Sequence, residues 1–221
     1  GSSCSTAFYA NDLETWLRVS ECFYEVFNSS SYSNGEPLNL GTIYIGGEEP
    51  VCVVIPAGIT QISDYAFANA RKLKSVTIPE GVTKIGNNAF KRCYSLESID
   101  IPASVETVGE FAFNYCFNLK SVEIKPDGEL QYIEKEAFSE CTSLASFILP
   151  EKLCSIGSNA FSYCYRLVEV YNLTKTGYFD DLTAGTDNYG GIAYYAKSIR
   201  TSISESTTVT TPDGFVFHVS T

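Results

Sequence analysis

Between Val51 and Asn172 the apolar positions recur in blocks with a fixed spacing. The dipeptide Ala-Phe stands at Ala66-Phe67, Ala89-Phe90, Ala112-Phe113, Ala137-Phe138 and Ala160-Phe161, so the phenylalanines step by 23, 23, 25 and 23 residues. An apolar pair precedes each one: Ile59 and Ile62, Val82 and Ile85, Val105 and Val108, Leu130 and Ile133, Leu153 and Ile156. Six residues after each Phe comes a leucine: Leu73, Leu96, Leu119, Leu144 and Leu167. Five units in phase define an internal repeat, and a period of roughly 20–50 residues marks a stacked solenoid.

Within a unit the spacing predicts local structure. In Leu73-Lys74-Ser75-Val76-Thr77-Ile78, Val76 and Ile78 alternate with polar residues, the period of a strand with one buried face. Pro79 ends pairing and turns the chain. Gly86 supplies a second bend, and Asn87 to Phe90 fits a short helical or 3-10 turn directed inward. One unit cannot enclose its own apolar residues, so stacking must bury each Leu, Val, Ile and Phe against its counterpart one coil away. The fourth unit carries two extra residues at Lys125-Pro126-Asp127-Gly128-Glu129, where Asp-Gly chemistry places a surface loop between strand and lateral wall.

Cys93, Cys116, Cys141 and Cys164 each follow their Phe by three residues, and Ala70 holds that place in the first unit. Equivalent positions run in parallel up a stack, whereas a zinc site needs converging ligands, so the reading is of free, buried thiols. Cys4, Cys22, Cys52 and Cys154 lie off this ladder, and a Cys4–Cys22 bridge stays open.

A solenoid needs covered ends. Leu13, Trp16 and Leu17 fall at helical spacing with Asp12 as N-cap, giving an N-terminal cap with Trp16 in its core. Residues 28–36 are Ser/Asn/Gly-rich and read as a loop. Beyond Asn172 the chain is polar and Gly-rich, and Pro212-Asp213-Gly214 between Thr-rich and Phe-Val-Phe segments reads as a hairpin turn. The division expected is a cap and linker over 1–50, five repeats over 51–172, and a β-rich cap or linker to a further module over 173–221.

The charge balance, 15 basic against 26 acidic residues for a net −11, argues against phosphate backbones and anionic membranes as partners. No apolar run approaches the ~20 residues of a membrane-spanning helix. The sequence carries no methionine and begins Gly1-Ser2, so it reads as a piece trimmed from a longer protein. Nucleophile-elbow, phosphate-loop and zinc-protease motifs are absent, and the single histidine, His218, sits in a probable strand. Asp180, Asp181 and Asp187 lack calcium-loop spacing and read as a solvated loop. Asn28-Ser29-Ser30 and Asn172-Leu173-Thr174 fit the glycosylation pattern, which matters only in a eukaryotic host. Nothing implies a catalytic residue, a metal or a cofactor.

The run Ile78-Pro79-Glu80-Gly81-Val82-Thr83-Lys84-Ile85-Gly86-Asn87-Asn88-Ala89-Phe90-Lys91-Arg92-Cys93-Tyr94-Ser95-Leu96 resembles the repeat of the BspA-like leucine-rich repeat family throughout, and the likeness covers about 120 of the 221 residues. The flanks are also similar to such proteins: residues 8–17, Glu36-Pro37-Leu38 and 42–47 to the segment before the repeats, and 191–197 and 211–217 to a linker towards another module. In Val170-Tyr171-Asn172 the pattern departs, with Asn where Ile belongs. The resemblance implies an α/β solenoid: a right-handed leucine-rich repeat with parallel strands on the concave face, short helical or 3-10 turns opposite, and capping segments at both ends. It further implies an extracellular or cell-surface setting in a host-associated bacterium, and a role in adhesion or protein binding. The ligand would be a host or cell-surface protein or glycan. A structural spacer, or an accessory region of a larger enzyme, is the alternative.

Two surfaces are candidates for binding. The strand face carries Ser75, Ser98, Ser121 and Ser146 in one column, and Thr77, Asp100, Glu123, Ile148 and Tyr171 in the next. It is either a ligand surface or simply the solvated side of a sheet. The second surface is aromatic: Tyr94, Phe117 and Tyr165 follow the ladder cysteines, and Tyr115 and Tyr163 precede two of them. Those rings either mark an interface or shield the edge of the stack.

Overall fold

The computed structural model describes residues 7–10, 12–19, 32–33, 36–37, 42–202, 207–210 and 216–219. The chain winds as a parallel β-solenoid. Each coil contributes one strand to a front ladder: Cys52–Val54, Ser75–Thr77, Ser98–Ile101, Ser121–Ile124, Ser146–Leu149, Glu169–Asn172 and Ser198–Arg200. These strands hydrogen-bond in three groups, each advancing by one repeat, with Cys52 opposite Ser75, Ser98 opposite Ser121, and Ser146 opposite Glu169, which in turn lies opposite Ser198. Val53, Val76, Ile99, Val122, Phe147 and Val170 all point inward and are buried, as the alternation predicts.

A second ladder was not anticipated. The segments read only as apolar pairs before a bend form a continuous five-stranded parallel sheet: Gln61–Ile62, Lys84–Ile85, Thr107–Val108, Tyr132–Ile133 and Ser155–Ile156. Two residues per strand are too few to display a period, so pairing there leaves no mark in the spacing. The glycine that follows is needed for close approach. A Cβ on Gly86 would lie 2.6 Å from the main-chain nitrogen of Asp64, and one on Gly157 would lie 2.4 Å from that of Lys135.

The helical turns expected at Asn87 to Phe90 and its equivalents do not form. Among the described residues the only α-helix is Leu13–Val19, and the only 3-10 segment is Tyr189–Gly191. The amides explain why. Asn88, Phe90 and Arg92 donate to Glu110, Ala112 and Asn114 on the next coil, while Ala89, Lys91 and Cys93 donate to Gly86, Asn88 and Phe90 within their own. Every second N–H is thus committed across the stack, which a helix cannot allow. The turns reverse through left-handed residues at two fixed places, Asn88 (φ 56°) and Arg92 (φ 62°) in this coil, with Phe111 and Tyr115 in the next.

The core is built of columns of stacked side chains. Phe67, Phe90, Phe113, Phe138 and Phe161 lie ring on ring at 5.1–5.3 Å with interplanar angles of 5–13°. The four ladder cysteines are buried free thiols. Each donates to the carbonyl of a Phe on the preceding coil: Cys93 to Phe67, Cys116 to Phe90, Cys141 to Phe113 and Cys164 to Phe138, at 3.2–3.3 Å. Burial pushes all four thiols up, Cys164 to about 12. The two-residue insertion closes as a turn, with Gly128 donating to the Lys125 carbonyl at 3.0 Å, and the wall strands across it keep register, Thr107 opposite Tyr132.

At the N-terminal end, Trp16 and Leu17 of the short helix are buried, and the Trp16 indole donates to the Ala66 carbonyl. The Asp12 carbonyl accepts from the Trp16 amide. Ala7–Ala10 pairs in parallel with Thr42–Ile45. At the other end the stack continues past Asn172. Phe161 donates to Gly190 as Phe138 does to Ala160, and Ser198–Arg200 extends the front ladder. Residues 191–197, similar in sequence to a linker, are therefore part of a degenerate final coil in which Ile192 and Ala193 are fully buried. Thr207–Thr210 and Val216–Val219 pair antiparallel, with His218 opposite Thr208. The Pro212-Asp213-Gly214 turn, Cys4, Cys22 and most of the 28–36 loop, with its Asn28-Ser29-Ser30 sequence, lie outside the described residues.

Candidate functional site

Alternation along each front strand turns one set of side chains out as surely as it turns the other in. In the first column Ser75 and Ser98 are exposed, and Ser121 and Ser146 are half-buried. In the second, Thr77, Asp100 and Glu123 are exposed, with Asp100 and Glu123 directly paired in register. Two cation-bearing neighbours flank this strip: Lys74, exposed, and Lys120, whose ammonium lies 2.9 Å from Glu97 and holds that carboxyl below its usual range.

The lower part of that column is closed. Ile148 is 7% exposed and Tyr171 is 0% exposed, so neither is an accessible binding residue as expected from the alternation. The physical reason is polar as well as apolar. Tyr171 donates to Glu169 at 2.8 Å, and Arg200 on the final coil reaches the same carboxylate at 3.1 Å. These three groups satisfy one another and seal the end of the sheet. The open strand face therefore runs through Thr77, Asp100 and Glu123.

The aromatic edge divides into two clusters. In the first, Tyr94 stacks on Phe117 at 5.4 Å, Tyr115 meets Phe117 edge-on at 5.8 Å, and Arg71 and Arg92 lie over Tyr94 and Tyr115. Tyr94 and Tyr115 are half-buried in this cluster, while Phe117 keeps 38% of its surface exposed. The fourth coil interrupts the row with Glu140 and Thr142 in the aromatic places. In the second cluster Tyr163 and Tyr165 are 51% and 54% exposed, and Tyr165 packs edge-on against Tyr195 at 5.3 Å.

Tyr194, Tyr195 and Asp187 join that second cluster, although the sequence places Asp187 in a solvated loop and the tyrosines in a linker-like stretch. The signal was a Tyr-Tyr pair about one coil after Tyr163 and Tyr165. It went unrecognised because the final coil is longer than the others and carries Gly190-Gly191 where Ala-Phe belongs. Together Asn159, Ser162, Tyr163, Asp187, Tyr194 and Tyr195 line a cleft of about 300 Å³. No helix among the described residues is long and apolar enough to cross a membrane.

Comparison with known proteins agrees with this architecture. A profile for the BspA type leucine-rich repeat region matches six copies over residues 51–176, one more than the five counted from Ala-Phe. No curated protein matches the chain. Among solved structures, a T. pallidum leucine-rich repeat protein is 30% identical with a TM-score of 0.54, over 57% of this chain and 60% of that one. A leucine-rich cell surface protein of Faecalibacterium prausnitzii is 25% identical with a TM-score of 0.50, over 76% of this chain and 53% of that one. The pneumococcal vaccine antigen PcpA is 26% identical with a TM-score of 0.51, over 67% of this chain and 35% of its own length. The chain thus spans between about a third and three-fifths of these structures. With the repeat profile matching more than half its length, it belongs to the BspA-type leucine-rich repeat family.

Proposed function

We propose that this chain is the extracellular, non-catalytic binding module of a larger bacterial surface protein, and that it engages a protein on a host or other cell through the open strand face. The observation that carries the reading is the exposed column Thr77, Asp100 and Glu123 on front strands whose inner side is the core, with Asp100 and Glu123 paired in register. Backbone geometry fixes these side chains at strand spacing, so a partner meets them preorganised and pays little ordering entropy. Likeness to a protein described as a cell surface protein and to one described as a vaccine antigen supports the setting. The paired carboxylates select a partner that presents cations.

Beads coated with the chain and counted on cultured epithelial cells test this. Wild-type beads adhere, trypsin treatment of the cells abolishes adhesion, and the Asp100→Ala, Glu123→Ala double variant adheres several-fold less at unchanged melting temperature. Equal adhesion by wild type and the double variant would reject the strand face. Adhesion by neither, above uncoated beads, would support the spacer reading.

A further inference from the structure

We infer that the cleft between the fifth and final coils is a binding site for an uncharged sugar ring, separate from the strand face. It exists because the last coil departs from the repeat. The hydrogen bond from Phe161 to Gly190 sets the register, so Gly191 takes the place that a stacked phenylalanine holds in every earlier coil and brings no side chain to it. The space beside it is lined by Tyr163, Tyr194 and Tyr195 on the aromatic side and by Asp187, Asn159 and Ser162 on the polar side.

That mixture suits a pyranose. Tyr163 and Tyr194 are half-exposed, and Tyr194 and Tyr195 stand edge to face at 4.7 Å and 78°, so tyrosine rings in two orientations border the cleft. An electron-rich tyrosine face attracts the polarised C–H bonds on the apolar side of a sugar ring, a weak contact that adds up over several hydrogens. Asp187 brings an acceptor-only carboxylate, and Asn159 both donor and acceptor, for the vicinal hydroxyls. The Asp187 carboxylate sits over Gly191, where an added Cβ would lie 3.3 Å from its Oδ1, so a side chain at 191 would crowd the acceptor. The volume falls at the lower end of the roughly 300–1,000 Å³ typical of small-molecule sites, enough for a terminal sugar. The carboxylate, in a chain of net charge −11, disfavours phosphorylated or acidic sugars.

Saturation-transfer NMR on the full chain tests the site, with the methyl glycosides of glucose, galactose, mannose, fucose and N-acetylglucosamine as probes and choline chloride as a cationic competitor for the same rings. The expected result is transfer to the ring protons of at least one glycoside, lost in Tyr194→Ala and in Asp187→Ala, and kept in the Asp100→Ala, Glu123→Ala double variant. Asp187→Ala, at an exposed position, serves where Tyr194→Ala lowers the melting temperature. No transfer from any glycoside, transfer undiminished in both variants, or transfer to choline alone would each overturn the inference. Because the double variant retains sugar binding, failure here and failure of the strand-face reading are distinguishable.

Discussion

The thiol of Cys116 donates to the main-chain carbonyl of Phe90, one coil earlier, at 3.2 Å. The same carbonyl accepts the Cys93 amide of its own coil, so a single oxygen ties the turn together and to its neighbour. Repetition of this bond at Cys93, Cys141 and Cys164 makes the ladder sulfurs structural.

Thiol reactivity separates the two kinds of cysteine. Cys52 and Cys154 are exposed and free, whereas the ladder thiols are enclosed and held protonated. Titration with a disulfide reagent at pH 8 modifies the exposed pair promptly and the four ladder thiols only after denaturation. Prompt reaction of Cys116, located by mass spectrometry, would contradict the enclosed core.

The same burial sets an alkaline limit. Each ladder thiol has a folded pKa above its unfolded one, so its contribution is complete below about pH 9 and is lost as pH rises towards 12, the value for Cys164. Melting temperature should fall across that window because the unfolded chain releases protons that the folded chain retains. Cys164→Ala should flatten the decline while lowering stability at pH 7 by about 1–2 kcal/mol for the lost bond and packing.

Phe113 stacks between Phe90 and Phe138 at 5.2 and 5.1 Å. Phe113→Ala is expected to cost about 3–5 kcal/mol in chemical denaturation, since neighbouring coils cannot collapse into the gap without breaking register. Tyr132→Ala, at an exposed wall position, should stay within about 0.5 kcal/mol.

Gly190 has φ +68°, and an added Cβ would lie 2.4 Å from the Gly157 carbonyl oxygen. Gly190→Ala therefore should detach the final coil at a cost of about 1–3 kcal/mol. Hydrogen exchange would read it as faster exchange at Phe161 and Ser198, with residues around Phe90 unchanged. Uniform protection in the variant would show that the final coil is not docked through this glycine.

Asp100 and Glu123 face each other in register, and like charges at that spacing repel. Asp100→Asn with Glu123→Gln should raise stability by a few tenths of a kcal/mol at low salt, with the gain vanishing near 1 M salt as screening grows. A loss of stability would mean the carboxylates hold structure instead of standing ready for a partner.

The repeat itself is legible in the sequence alone. The Phe column, the Leu column and the cysteine ladder follow from one-dimensional spacing, because stacked coils must place equivalent residues in contact. Trp16 in a capping core was legible for a similar reason, its helical spacing from Leu13 and adjacency to Leu17. The wall sheet was not, because Lys84–Ile85 and its equivalents are too short to carry a period and pair only once the coils are stacked. Nor were the non-helical turns, where the choice between an amide bonding within its coil and bonding to the next depends on the neighbour's position.

At the site the same division holds. Alternation along each strand determined that Thr77, Asp100 and Glu123 face outward. It placed Ile148 and Tyr171 in the same column, and only the tertiary structure revealed that the end of the sheet is closed, with the Glu169 carboxylate accepting from both the Tyr171 hydroxyl and Arg200. The cleft at Tyr163, Tyr194 and Asp187 depended wholly on the fold, since it arises where the periodic pattern stops. A repeat determines what every coil shares, because equivalent positions meet equivalent surroundings. What happens at its end is decided by contacts between segments that sequence spacing does not relate.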